Sequence, residues 1–178
     1  MQSDSEERKK GNNNKIIING NNVEEVEDFI YLGSRIEQNG DTDIEVRTRI
    51  AKAATCFKNL ENIWKSKILS VKTKLKIFNS NVLPTLTYAC ESWKSKKNME
   101  NRLNAFENKC LRKIIGVKWN EFKSNEEIRR RTKQPKVSET IKKKRWTYVG
   151  HIFRRQEQRI TRQAMNWKAA ERRVRGRP

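Results

Sequence analysis

The spacing of apolar residues changes character near residue 40. Before it the pattern is β-like: Ile16-Ile17-Ile18 runs into Asn19-Gly20, the strongest short signal for a hairpin turn, and apolar positions resume at Val23 and Val26. Phe29-Ile30-Tyr31-Leu32-Gly33 follows, a β-prone run that reads as closed by its glycine. Residues 15–36 therefore predict two or three short strands, too few to stand as a sheet, since an isolated hairpin is marginal in water. Residues 1–14 are polar and lack any period, so disorder is expected there.

After Asn39-Gly40 the period becomes helical. Thr42-x-x-Glu45 predicts a capping box, and Ile50, Ala54, Phe57, Leu60 and Trp64 recur at three- and four-residue steps as one apolar face. A second helix is expected after Ser70, with Leu75, Phe78 and Val82 inward and an end or kink at Pro84, which lacks an amide hydrogen. The apolar run continues through Leu86, Tyr88, Ala89 and Trp93. The clearest stripe is Leu103, Phe106, Cys110, Leu111 and Ile114, on a helix from about 98 to 115 stopped by Gly116. Ser124-x-x-Glu127 predicts a second capping box and a short helix through Arg131. A last helix is expected over 138–155, with Ile141, Tyr148, Val149, Ile152 and Phe153 as its apolar positions. The tail from Arg172 to Pro178 has no stripe and reads as mobile. The fold class is mainly α, with a small N-terminal strand remnant.

Charge sharpens this picture. The 178 residues carry 41 Lys and Arg against 21 Asp and Glu, a net +20. Residues 1–110 hold 19 basic and 15 acidic side chains, whereas 111–178 hold 22 and 6, so +16 of the excess sits in the last third. Such a field repels itself unless a polyanion neutralises it, and phosphate backbones do so with an entropic gain from released counterions. With mean hydropathy of −1.00 any core must be lean. No apolar run approaches the ~20 residues that span a bilayer, and nothing resembles a signal peptide. Cys56, Cys90 and Cys110 with the lone His151 match no zinc spacing, and the thiols are expected to be reduced and half-buried on helices, as in a nuclear or cytoplasmic protein.

Catalytic chemistry finds little support. There is no glycine-rich phosphate loop, and Asp41 and Asp43 read as helix-start charges. Binding chemistry finds more. Lys142-Lys143-Lys144-Arg145 precedes Trp146 and Tyr148, and Arg154-Arg155 follows. The lysines read as phosphate contacts. The aromatics could stack on unpaired bases, but their spacing with Val149 and Ile152 favours the core. Candidate phosphate contacts are Lys109, Arg112, Lys113, Arg129, Arg130, Lys142, Lys143, Arg145, Arg154 and Arg155. Arg175-Gly176-Arg177-Pro178 is similar to an AT-hook core, a short segment suited to a narrow minor groove.

An ordered series of short motifs adds a family likeness. Phe-Ile-Tyr-Leu-Gly-Ser at 29–34 is followed by Asn-Ile-Trp-Lys-Ser at 62–66, then by the run from Lys72 to Pro84. Tyr-Ala-Cys-Glu-Ser-Trp at 88–93 and Lys-Cys-Leu-Arg-Lys-Ile-Ile-Gly at 109–116 come next. Ser-Asn-Glu-Glu at 124–127, Arg-Trp-Thr-Tyr-Val-Gly-His at 145–151, Arg-Gln-Ala-Met-Asn-Trp at 162–167 and Arg-Gly-Arg-Pro at 175–178 complete it. Over residues 23–178 the series resembles the C-terminal part of the reverse transcriptase of LINE-type (non-LTR) retrotransposons.

That resemblance implies palm-edge strands and a primer-grip-like segment at 15–40, a thumb-like helical bundle at 41–118 and a basic helical extension at 119–178. Phe29, Tyr31, Leu32 and Gly33 match the grip. The family's catalytic strand, with its paired aspartates for magnesium, is missing: no Asp-Asp occurs in the chain. The chain is therefore expected to need no cofactor of its own and to be inactive alone as a polymerase. RNA and DNA are the implied partners, with a complete reverse transcriptase chain as a further one. A truncated element copy or gene-model fragment fits the pattern; a domesticated DNA- or chromatin-binding protein and a non-functional remnant are the alternatives.

Overall fold

A computed structural model of the protein describes residues 16–38, 40–118 and 120–167. The disorder expected at 1–14 and the tail with Arg175 and Arg177 lie outside them. The described chain is mainly α-helical, with two small antiparallel hairpins ahead of the helices. Strand β1 (Ile17–Ile18) pairs with β2 (Asn21–Asn22), and β3 (Asp28–Tyr31) pairs with β4 (Ser34–Glu37). Asn19 and Gly20 turn the first hairpin at φ 52° and 79°, the left-handed pair that Asn-Gly suits.

The second hairpin corrects the sequence reading. Gly33 does not close a strand; with Leu32 it forms a two-residue turn at φ 48° and 77° that sends the chain back as β4. Leucine in that conformation is strained, because its Cβ crowds the backbone, so Leu-Gly carries no turn signal in sequence.

Helix α1 (Asp43–Asn59) starts differently from the expected capping box. Thr42 makes no side-chain cap. Asp41 Oδ1 instead accepts the amides of Thr42 at 2.7 Å and Asp43 at 3.2 Å. Glu45 is drawn away by a stronger, charged partner: it is buried and accepts from Arg49 at 2.6 Å and from the amide of Arg35 at 3.0 Å. The inward face is Val46, Arg49, Ala53 and Phe57, so Ala54 points to solvent and Ile50 lies at the margin. The helix breaks at Leu60 and resumes as α2 (Glu61–Lys65), which delivers Trp64 to the core.

Helix α3 (Val71–Ile77) begins as expected, with Ser70 Oγ accepting the amide of Thr73 at 3.2 Å. Pro84 does not end it. The helix widens into a π-helical stretch (Phe78–Val82), in which the amide of Leu83 reaches Phe78 O, and continues as α4 (Leu83–Leu86). Widening accommodates the proline, and side chains take up carbonyls along this stretch. Asn81 Nδ2 donates to Ile77 O at 3.0 Å and Thr85 Oγ1 to Asn81 O at 2.8 Å.

Helix α5 (Lys97–Ile115) ends at Gly116, whose φ of 71° lets Val117 N–H return to Arg112 O at 3.1 Å. Then come α6 (Asn125–Thr132), α7 (Val137–Phe153) and α8 (Ile160–Asn166). Ser124 Oγ caps α6 by accepting the amide of Glu127 at 3.1 Å. Glu127 does not complete the box; its carboxylate takes Arg130 and Arg131.

The core centres on Phe57, stacked on Trp64 at 4.8 Å and edge-on to Phe78 at 6.3 Å. Leu75, Val82, Leu86, Leu103, Leu111 and Ile114 surround them, and Ile128, Val137 and Ile141 continue the same cluster into α6 and α7. Cys90 and Cys110 are fully buried rather than half-buried, and Cys90 lies in a turn. Burial pushes their thiols up to about 11 and about 12.

Candidate nucleic-acid interface

Two regions gather the residues that the sequence singled out. The first is the β3–β4 hairpin. Phe29 and Tyr31 meet edge to face at 6.3 Å, and Leu32 stands out from the turn. The turn is latched from the helical side. Tyr88 Oη donates to Leu32 O at 2.7 Å, and the Arg49 guanidinium donates to Gly33 O. Arg49 also lies over the Tyr88 ring, 4.3 Å from its centre, and is held by Glu45. A cavity of about 530 Å³ opens between this hairpin, the start of α1 and the turn after α4, with Tyr31, Ile36, Tyr88 and Trp93 among its walls. Arg49 and Tyr88 were not marked as site residues by the sequence. The signals available were the four-residue step from Glu45 to Arg49, which shows an ion pair and not a latch, and the place of Tyr88 at the head of the motif at 88–93.

The second region is basic, and the structure divides its ten candidate residues sharply. Arg145 is engaged inside the fold: it donates to Cys90 O at 3.1 Å and to Trp93 O, tying α7 to the turn after α4. Its neighbour Lys144 reaches Thr87 Oγ1 at 2.8 Å in the same way. Arg129 is also consumed internally, by Glu107 and Asn108, each at 2.7 Å. Glu107 is only 1% exposed. It also accepts the amide of Val137 at 3.0 Å, so one carboxylate joins α5, α6 and the start of α7. Burial nonetheless pushes its carboxyl above the ordinary range, against the pull of Arg129.

Arg112 holds the loop before α6 through Lys123 O at 2.7 Å and Asn125 at 2.8 Å. Lys113, Arg130 and Lys142 face acidic partners, Glu61, Glu127 and Glu100, but remain exposed. Arg154 touches His151 Nδ1 at 3.0 Å. Lys109, Lys143 and Arg155 are exposed and hold no side-chain hydrogen bond or ion pair among the described residues. Of the ten, these last three are therefore left without a partner among the described residues, while Lys113, Arg130 and Lys142 sit in surface ion pairs that water already weakens and Arg154 faces a histidine.

The aromatics correct the sequence reading in the opposite direction. Trp146 is 75% exposed and Tyr148 51%, so neither belongs to the core. Helix α7 is buried through Val137, Ser138, Ile141 and Ile152, and its middle turns are anchored by Lys144 and Arg145, not by an apolar stripe. Among the described residues, no three His, Cys, Asp or Glu side chains gather as a metal site would require, and no helix is long and apolar enough to cross a membrane.

A family model described as a domain of unknown function (DUF6451) matches residues 56–88, from the end of α1 into the turn after α4. An uncharacterized transposon-derived protein of Caenorhabditis elegans is 27% identical over 150 residues, covering 82% of this chain and 53% of the relative. The chain therefore spans about half the length of that relative, and the similarity supports a transposon-related origin. No solved structure matches.

Proposed function

We propose that this chain is the nucleic-acid-holding part of a mobile-element reverse transcriptase, gripping template–primer through its phosphates. The catalytic palm, with its magnesium, would belong to another segment or chain. The observation that carries the reading is the uncompensated positive charge: +16 in residues 111–178, with Lys109, Lys143 and Arg155 unengaged among the described residues. The ordered motif series supplies the polymerase context, and the transposon-derived relative supports a mobile-element origin. The latched hairpin at Phe29–Glu37 supports it too, since a strained turn held by two side chains is the kind of feature found at functional sites.

Phosphate contacts position a duplex without reading its sequence, so affinity should depend on salt and little on sequence. The test is binding of the purified chain to single strands, duplex and RNA–DNA hybrid over a salt series. Log K should fall linearly with log salt, by ~0.9 per duplex phosphate neutralised. A flat line, or no binding at low salt, overturns the proposal. Primer extension with magnesium should yield no product from this chain alone.

A further inference from the structure

We infer that the outer face of α7 is a docking strip for an unpaired nucleic-acid strand, with Trp146 as the platform on which a base stacks. The inference rests on the reading above and adds a substrate class and a residue to it. Trp146 is 75% exposed on a helix that is well anchored on its other side, so its position is not a packing accident of a frayed segment. Exposing an indole to water is unfavourable, and it gains only if a partner covers it.

The neighbours of Trp146 determine which partner fits. Helical geometry places Lys142, Lys143, Gly150 and Phe153 on the same face, at three-, four- and seven-residue steps from Trp146. Among the described residues Lys143 is unpaired and Lys142 has only a 3.5 Å contact to Glu100, and Phe153 is exposed. Gly150 costs about 1 kcal/mol relative to alanine within a helix, so it contributes nothing to α7 stability. It does open the surface between Trp146 and Phe153. A Cβ there would meet the Arg154 guanidinium at 3.6 Å, so Arg154 borders the same opening. The strip thus alternates cations with aromatic faces around a gap.

A duplex offers phosphates to the cations but no base face to the rings, because its bases are stacked inside. An acidic protein would satisfy the lysines and leave Trp146 without a planar partner. An unpaired strand satisfies both: phosphates meet Lys142, Lys143 and Arg154, and a base lies on the indole. Such stacking tolerates any base, so no sequence preference is expected.

The test compares the full chain with Trp146→Ala and Trp146→Phe, using a labelled oligothymidylate, the same length of duplex, and phosphatidylserine vesicles. Trp146→Ala should weaken oligothymidylate binding about 5- to 160-fold, following the usual range for a stacked base, while duplex binding moves less than about twofold. Trp146→Phe should recover most of the loss. Unchanged melting of both variants is the expected control for an exposed residue. Equal binding of oligothymidylate by wild type and Trp146→Ala overturns the inference and leaves the phosphate-holding function standing. Failure of the wild type to bind either nucleic acid removes that function as well. Loss of vesicle binding with no effect on oligothymidylate overturns the inference in favour of a membrane-facing strip.

Discussion

The three-way junction at Glu107 yields the most demanding prediction. Replacing Arg129 by Met removes a guanidinium that lies 2.7 Å from a carboxylate only 1% exposed, leaving that carboxylate with the Val137 amide. Breaking a buried pair by deleting one partner typically costs about 3–5 kcal/mol, because the remaining charge is stranded without water. For a chain of this size 1 kcal/mol moves the melting midpoint by about 2–4 °C, so Arg129→Met should lower it by about 6–20 °C. The double variant Glu107→Leu/Arg129→Met strands no charge. It loses chiefly the Val137 amide partner, a cost of about 1–3 kcal/mol, and should melt above Arg129→Met. The assay is a double-mutant cycle by thermal and urea unfolding, with the salt slope of nucleic-acid binding measured below the melting range. If Arg129 acts inside the fold, its variant keeps the wild-type slope, whereas Lys143→Ala lowers it by nearly one. An Arg129→Met loss below about 1 kcal/mol, or a changed slope, would refute the reasoning.

Three further outcomes are expected. Leu32→Asn removes a left-handed leucine, so hydrogen exchange in the β3–β4 hairpin should slow, by a free energy of about 1 kcal/mol; unchanged protection would deny the strain. With an Ellman-type reagent at pH 8, Cys56 should react first, while Cys90 and Cys110, buried and with thiols pushed up to about 11 and about 12, should wait for unfolding. Asp41, Glu61 and Glu127 have carboxyls held below the ordinary range, first of all by side-chain hydrogen bonds from Lys96, Lys113 and Arg131. A depressed folded-state value contributes stability above the unfolded-state value, near 4, and loses it as pH falls through the folded one. The melting midpoint should therefore drop as pH is lowered from about 5 to about 3, a drop that Glu61→Gln and Glu127→Gln reduce.

Much of the architecture was legible without coordinates, because periodicity and end signals are local. The Leu103–Ile114 stripe, its stop at Gly116, the Ser70 start and the Asn19-Gly20 turn each depend on residues within a few positions of one another. Where the reading failed, a side-chain partner took the group away, sometimes from within the same helix and sometimes from far along the chain. Glu45 left its capping role for Arg49 and the amide of Arg35, and the break in strand character at Gly33 became a hairpin under a latch from Tyr88. The candidate site divides along the same line. A count of lysines and arginines does not distinguish Arg145, spent on two carbonyls of the turn after α4, from Lys143, which nothing in the described fold engages.

What the sequence by itself determined is the class of the molecule: helical, basic, and charged most heavily in its last third. Composition sets the field, and helix periods arise from neighbours along one chain. What only the tertiary structure decided is which charges remain for a ligand and which aromatics face outward. Both depend on groups more than 20 residues apart, such as Arg129 with Glu107 and Arg145 with Cys90. A buried charge must find its counterpart, and every cation that does so inside the fold is withdrawn from the surface.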